Sequence, residues 1–208
     1  MRFKTVLMAG LVTLGFLVQP ADAQIRKSGI TGAAFLKIPV GARAAALGSA
    51  YTTITEDANQ MFWNPAGIAL GGSGTSLTFS YNDWIAGMTH MAAGVTYGTQ
   101  TMGTFGIGFL SLGVDDIIAD RDGVPSFLAG SFTAFDTNTS ATYNYSDTAI
   151  NLSWAYVFTD KLSMGASARY INQSIDGVSA NAFALDFGAI YHIGFRGARI
   201  GARINNLG

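Results

Sequence analysis

Only two histidines, His90 and His192, could serve as bases or imidazole ligands, and the chain has no cysteine. They stand far apart, neither sits beside a G-x-S-x-G nucleophile turn, and no phosphate loop or zinc spacing is present. The stretch Asp115-Asp116 to Asp120-Arg121-Asp122-Gly123 offers carboxylates, but not at the intervals of a formed calcium loop. Bond-making chemistry therefore finds no seat, and the chain reads as a non-enzyme with no catalytic residues, no metal and no cofactor. What remains are residues suited to holding and admitting. These are Asn64-Pro65-Ala66-Gly67, the charges Arg169, Asp186, Arg199 and Arg203, and the glycines Gly103, Gly106 and Gly108.

The elements that must position these residues are strands. Ile150, Leu152, Trp154, Tyr156 and Phe158 alternate with Asn151, Ser153 and Ala155, and side chains of a strand point to opposite faces with period two. The same alternation predicts seven strands, over 75–82, 88–98, 101–112, 148–158, 161–175, 181–193 and 197–206. Tight turns are expected at 98–100, 159–160 and 194–196, and longer connections at 82–87, 114–147 and 176–180. Alternately short and long connections are the mark of a bacterial outer-membrane barrel, whose periplasmic turns are short and whose outer loops are long. The fold class predicted is thus all-β, a transmembrane antiparallel β-barrel.

Composition agrees with this reading. Charged residues make up 12% of the 208-residue chain, about half the soluble norm of roughly 25%. The formal net charge of -1 excludes the basic excess of a nucleic-acid-binding protein. Arg2 and Lys4 precede an apolar stretch to about Val18, followed by Ala21-Asp22-Ala23, which reads as a signal peptide over 1–23, cleaved before Gln24. Beyond it no apolar run approaches the roughly 18 residues of a spanning helix. Residues 24–74, rich in small side chains and closing with Gly71-Gly72-Ser73-Gly74, form a separate segment with short helical turns expected over 42–50 and 56–62. Residues 75–208 hold the strands. Leu77, Phe79, Tyr81, Phe105, Ile107, Phe109, Phe183, Leu185 and Phe187 fall on the face assigned to lipid.

On that assignment Arg169, Asp186, Arg199 and Arg203 face inward, since a charge on lipid would cost about 2–4 kcal/mol at the midplane. They form an expected cluster that pairs internally, holds the N-terminal segment or sets the polarity of a channel. Gly103, Gly106 and Gly108 are expected in the third strand, where glycine permits a bulge or kink that opens the wall. Pro65 fixes its own φ and holds Asn64 extended, leaving the Asn64 amide free to bond nearby backbone, as an anchor or as a gate.

Residues 31–70, with Glu56-Asp57-Ala58-Asn59-Gln60-Met61-Phe62-Trp63 leading into Asn64-Pro65-Ala66-Gly67, carry a resemblance. So do the stretch from Tyr156 through Thr159-Asp160-Lys161 to Arg169-Tyr170, the run Ala184-Leu185-Asp186-Phe187-Gly188, and Arg203-Ile204-Asn205-Asn206-Leu207-Gly208. Together they resemble the FadL (long-chain fatty-acid transporter) barrel superfamily, and within it the PorV/PorQ-like outer-membrane proteins. The resemblance implies a barrel of about fourteen strands when complete, with an N-terminal hatch or plug (24–74) in the lumen. This chain would then cover roughly the first half, and the odd strand count of the sheet agrees. It also implies a lateral opening near the third strand, and action by binding and passage in type IX secretion or transport of hydrophobic compounds. The expected partners are outer-membrane lipid, hydrophobic small molecules, or type IX secretion components and their cargo. Two other classes are carried beside it. One is a secreted soluble β-sandwich or adhesin, the other an outer-membrane lipid-modifying enzyme.

Overall fold

The computed structural model describes residues 32–54, 57–118 and 142–208. The leader over 1–23 and the acidic stretch from Asp120 to Gly123 lie outside the described residues. Seven strands follow one another: β1 (Gly74–Asp83), β2 (Thr89–Gly98), β3 (Thr104–Ile118), β4 (Thr142–Thr159), β5 (Leu162–Ile175), β6 (Val178–His192) and β7 (Arg199–Leu207). They form one antiparallel sheet in the order β1-β2-β3-β4-β5-β6-β7. The chain is all-β with few and short helices, an arrangement consistent with part of a β-barrel. Among the described residues no helix is long and apolar enough to cross a membrane.

The expected alternation of connection lengths is corrected in several places. The expected connection 176–180 is only the pair Asp176-Gly177, both at positive φ (46° and 75°). Asp-Gly is the sequence that two-residue hairpins of this hand favour, and here it lets β5 and β6 pair to their tips. Within the expected connection 114–147, β3 runs on to Ile118 and β4 begins as early as Thr142. A register shift between Val114 and Ile117, with Asp116 at φ 57°, carries pairing on to Ile118↔Thr142. Residues 84–88 and 99–103 are connections of equal length, and the tight turn expected at 194–196 is the six-residue connection 193–198, so the described connections do not alternate between short and long.

The two faces of the sheet differ as the alternation requires. One is bare and apolar: Leu77, Phe79 and Phe183 are 77%, 72% and 74% exposed, and Ile107, Phe109, Leu152, Trp154, Leu185, Phe187, Ile200 and Ile204 are exposed beside them. The other is lined by small and polar residues and covered by the segment 32–71. That segment folds as 3-10 turns at Ala34–Lys37, Ala58–Phe62 and Pro65–Gly71, with one short helix, α1 (Ala42–Ala46). The turns of 42–46 and 58–62 fall where the sequence placed them. Those of 34–37 and 65–71 add to the expectation. The hydrophobic core lies between segment and sheet, where Phe35, Val40, Tyr51, Met61, Phe62, Trp63 and Ile68 meet Leu110, Leu112 and Ile171.

Candidate functional site

The segment is seated in gaps that missing side chains leave in the wall. Gly94 and Gly108 are paired across β2 and β3, both on the covered face. A Cβ on Gly108 would lie 2.6 Å from Met61 Sδ, and one on Gly94 2.9 Å from the same sulfur. Gly165 and Gly188 are paired across β5 and β6. A Cβ on Gly165 would lie 2.6 Å from the Pro65 carbonyl carbon, and one on Gly188 would strike Asn64 Oδ1. Real Cβ atoms do not approach so closely, so each glycine pair is a notch shaped to the backbone or side chain above it.

Within the second notch Asn64 makes three contacts. Its Oδ1 accepts from the Ala66 N–H (3.1 Å), capping the turn that Pro65 opens. Its Nδ2 donates to the Thr52 carbonyl (2.8 Å) and, at 3.5 Å, to the Ala189 carbonyl of β6. Pro65 at the first position of the turn loses no hydrogen bond, because that N–H would have no partner in the turn. Ala66 is fully buried and Gly67 lies against Gln60.

Polar side chains from the wall hold the carbonyls of the segment. Asn151 Nδ2 donates to the Met61 carbonyl (2.9 Å), and Arg203 Nη1 and Asn205 Nδ2 both donate to the Trp63 carbonyl (2.8 and 3.3 Å). The Arg203 guanidinium also sits 5.2 Å from the centre of the Trp63 ring. The segment is cross-braced from within. Asn59 Nδ2 and Trp63 Nε1 donate to the Val40 carbonyl, and Gln60 Nε2 donates to the Tyr51 carbonyl. The Tyr51 hydroxyl donates to Asp57 (3.0 Å). Burial first, and then this bond, push the phenol above its usual range.

Arg169 and Asp186 are an ion pair at 2.8 Å, exposed by only 3% and 2%. Asn206, at φ 58°, is folded back so that its N–H donates to Asp186 Oδ1 (2.7 Å) while its side-chain oxygen accepts from Arg169 Nη1 (2.7 Å). Both Asp186 oxygens and two Arg169 nitrogens are thereby occupied. Beside the pair lies a cleft of about 330 Å³ between segment and sheet. Arg169, Arg203 and Asn205 line one side of it, and Phe35, Ile38 and Trp63 the other.

Of the expected charge cluster, Arg169, Asp186 and Arg203 are thus brought together, with Asp186 acting electrostatically on Arg203 as well. Arg199 is not part of it. It opens β7 opposite His192, about 13 Å along the strand from Arg203. The glycines expected in one strand divide also. Gly103 precedes β3, at φ 85° in the connection, while Gly106 and Gly108 lie on the covered face. The β3 ladders run unbroken past both, and the register shift of β3 lies at Val114–Ile117. His90 is buried on the covered face of β2, and His192 closes β6, opposite Arg199. Among the described residues no group of three His, Cys, Asp or Glu side chains is placed to hold a metal ion.

The sequence reading gave no site role to Asn151, Asn205, Asn206 or the pair Gly165 and Gly188. A usable signal existed: polar or side-chain-free residues at covered-face positions, where the alternation reserves the bare face for apolar ones. No known protein family matches the chain, and no curated protein is similar to it.

Proposed function

We propose that this chain is an outer-membrane β-barrel protein of the PorV/PorQ type, exported by its leader and acting by binding and passage rather than by catalysis. The observation that carries this reading is the inversion of the sheet. Large apolar side chains stand exposed on one face, while an Arg–Asp pair, asparagines and serines are buried on the other. In water such a face would be a large exposed apolar patch, whereas against hydrocarbon it is the favoured surface. On this reading the segment 32–71 is the hatch, and its seven-stranded wall is about half of the fourteen strands that the resemblance implies. The cleft beside Arg203 and Trp63 is then the place where a hydrophobic compound, or a cargo segment in type IX secretion, would meet the hatch.

The test is membrane fractionation of the protein in its natural reading frame, followed by electrophoresis with and without boiling. Recovery in the outer-membrane fraction with faster migration before boiling supports the barrel. Recovery from the soluble periplasm or medium, with no shift, overturns it in favour of a secreted β-sandwich.

A further inference from the structure

Charge is segregated between the two ends of the sheet. At the end that carries the connections 84–88 and 176–177 stand Asp83, Asp115, Asp116 and Asp176, with no Lys or Arg among the described residues of the strands and their connections there. The opposite end holds Lys161, Arg196 and Arg199 on the strands and their connections, with the carboxylates of Asp160 and of Asp57 in the inner segment, which lies beside Gly74 and Gly98. The backbone brings these cations side by side: His192 N–H donates to the Lys161 carbonyl (2.7 Å), and His192 is the register partner of Arg199. Arg196 lies in the 193–198 turn that joins His192 to Arg199.

That turn has a definite build. The Ile193 N–H donates to the Ala198 carbonyl and the Ala198 N–H to the Phe195 carbonyl, which fixes the loop and presents Phe195 and Arg196 at its tip. Phe195 is 66% exposed, Ile193 is exposed beside it, and the Arg196 guanidinium stands 5.4 Å from the centre of the Phe195 ring. Arg196 holds φ 49°, a region costly for a residue with a Cβ. An exposed aromatic wedge carrying its own cation, next to two further cations, matches the boundary of a bilayer. There a ring sits among acyl-chain ends and a guanidinium reaches a phosphate.

We propose that this basic rim, with Phe195 and Arg196 at the tip of the turn and Lys161 beside it, docks anionic phospholipid headgroups at the bilayer interface. The inference rests on the membrane reading above. It adds a lipid preference and an orientation, with the basic end toward the leaflet rich in anionic phospholipid and the acidic end away from it. A free phosphate would not call for the exposed Phe195 and Ile193, whereas a lipid supplies both a charged head and an apolar layer.

The test uses the protein folded into phosphatidylcholine vesicles containing an equal part of phosphatidylglycerol, with one or the other lipid brominated. In a Trp84→Phe background, with Trp63 buried, Trp154, on the bare face near the same end and bonded through Nε1 to the Met102 carbonyl, is the lipid-facing fluorescent reporter. Brominated phosphatidylglycerol should quench more than brominated phosphatidylcholine, the difference shrinking with added salt. The preference should fall roughly fivefold per cation removed in Lys161→Gln and Arg196→Gln, the factor equivalent to about 1 kcal/mol per basic residue near an anionic surface. Phe195→Ser should weaken it while leaving its salt dependence in place. Equal quenching by the two lipids in a sample that shows the heat-dependent gel shift overturns the headgroup inference alone. A sample that never inserts and shows no shift overturns the membrane reading, and the headgroup inference with it.

Discussion

Gly165 and Gly188 face one another across β5 and β6, and the space their missing side chains leave is filled by Asn64 and Pro65. Gly94 and Gly108 stand in the same relation to Met61. The inner segment is therefore located on the sheet at two points, the β2–β3 and β5–β6 ladders, with β4 between them. Asn151 on β4, between the notches, and Arg203 and Asn205 on β7, beyond the second, hold its carbonyls. Carbonyls of a short irregular segment must find donors somewhere when buried, and here the wall supplies them.

The two notches should not tolerate a methyl group equally. At Gly165 the obstructing atoms are backbone of Pro65 and Ala66, which can move only with the whole turn. At Gly108 the obstructing atoms are side chains only, the sulfur of Met61, whose flexible chain can turn aside, and the edge of the Phe62 ring at 2.8 Å, which can shift without moving backbone. Gly165→Ala should cost at least the ~1–3 kcal/mol typical of overpacking, and Gly108→Ala distinctly less. Urea midpoints of the two variants decide the order, and a larger loss at Gly108 would mean that the segment is anchored mainly through Met61.

The Arg169–Asp186 pair should behave as a buried charge pair closed on both sides. Arg169→Met leaves the Asp186 carboxylate with the Asn206 N–H and the field of Arg203. A loss of about 3–5 kcal/mol is expected for breaking such a pair. Removing both charges, in Arg169→Met with Asp186→Leu, should recover part of that loss, because no buried charge is left unpaired, although the Asn206 N–H and side-chain oxygen lose their partners. A double variant no more stable than the single one would show that Asn206 depends on the pair to fold β7 back.

Much of this arrangement was legible in the sequence, for stated reasons. Period-two alternation marks strands whenever the two faces meet different surroundings, so the apolar face from Leu77 to Ile204 and the inward charges Arg169 and Asp186 could be read directly. Strand ends were less legible. Asp176-Gly177 is a turn pair in its own right, yet the polar residues Ser179 and Asn181 beside it resembled loop. The bulge at Asp116 hid the continuation of β3 behind two carboxylates. Arg199 and Arg203 share a face, and nothing in their spacing says that one meets the Trp63 carbonyl while the other lies at the rim. That division depends on how far the inner segment reaches, which is a tertiary fact.

The inner segment should loosen in alkali through Tyr51. Its phenol titrates above its unfolded value of about 10, so the buried neutral form contributes stability that is fully present below that pH. The contribution is lost as pH rises from there through the raised native value. Wild type should therefore lose urea resistance above about pH 10 together with the appearance of tyrosinate absorbance. Tyr51→Phe, which gives up the bond to Asp57, should start less stable and show a shallower alkaline decline. An equally steep decline in the variant would assign the effect to another group.

The bare face gives the sharpest division between the readings. Leu152 projects from the middle of β4, is well exposed, and has Ile107 and Ala168 as its cross-strand partners. In a soluble sandwich with that face in water, Leu152→Arg would relieve an apolar patch and change stability by no more than a few tenths of a kcal/mol, as surface substitutions do. Facing hydrocarbon near the midplane, the same guanidinium would cost about 2–4 kcal/mol. Asn151, one residue along and turned to the covered face, supplies the control. Asn151→Ala should remove its bond to the Met61 carbonyl and disturb the segment, with an effect that does not depend on bilayer thickness. Folding both variants into vesicles of thin and thick lipids, and reading the gel-shifted fraction, separates the two. A Leu152→Arg penalty that grows with hydrocarbon thickness places the face in lipid, and a penalty absent in every bilayer places it in water.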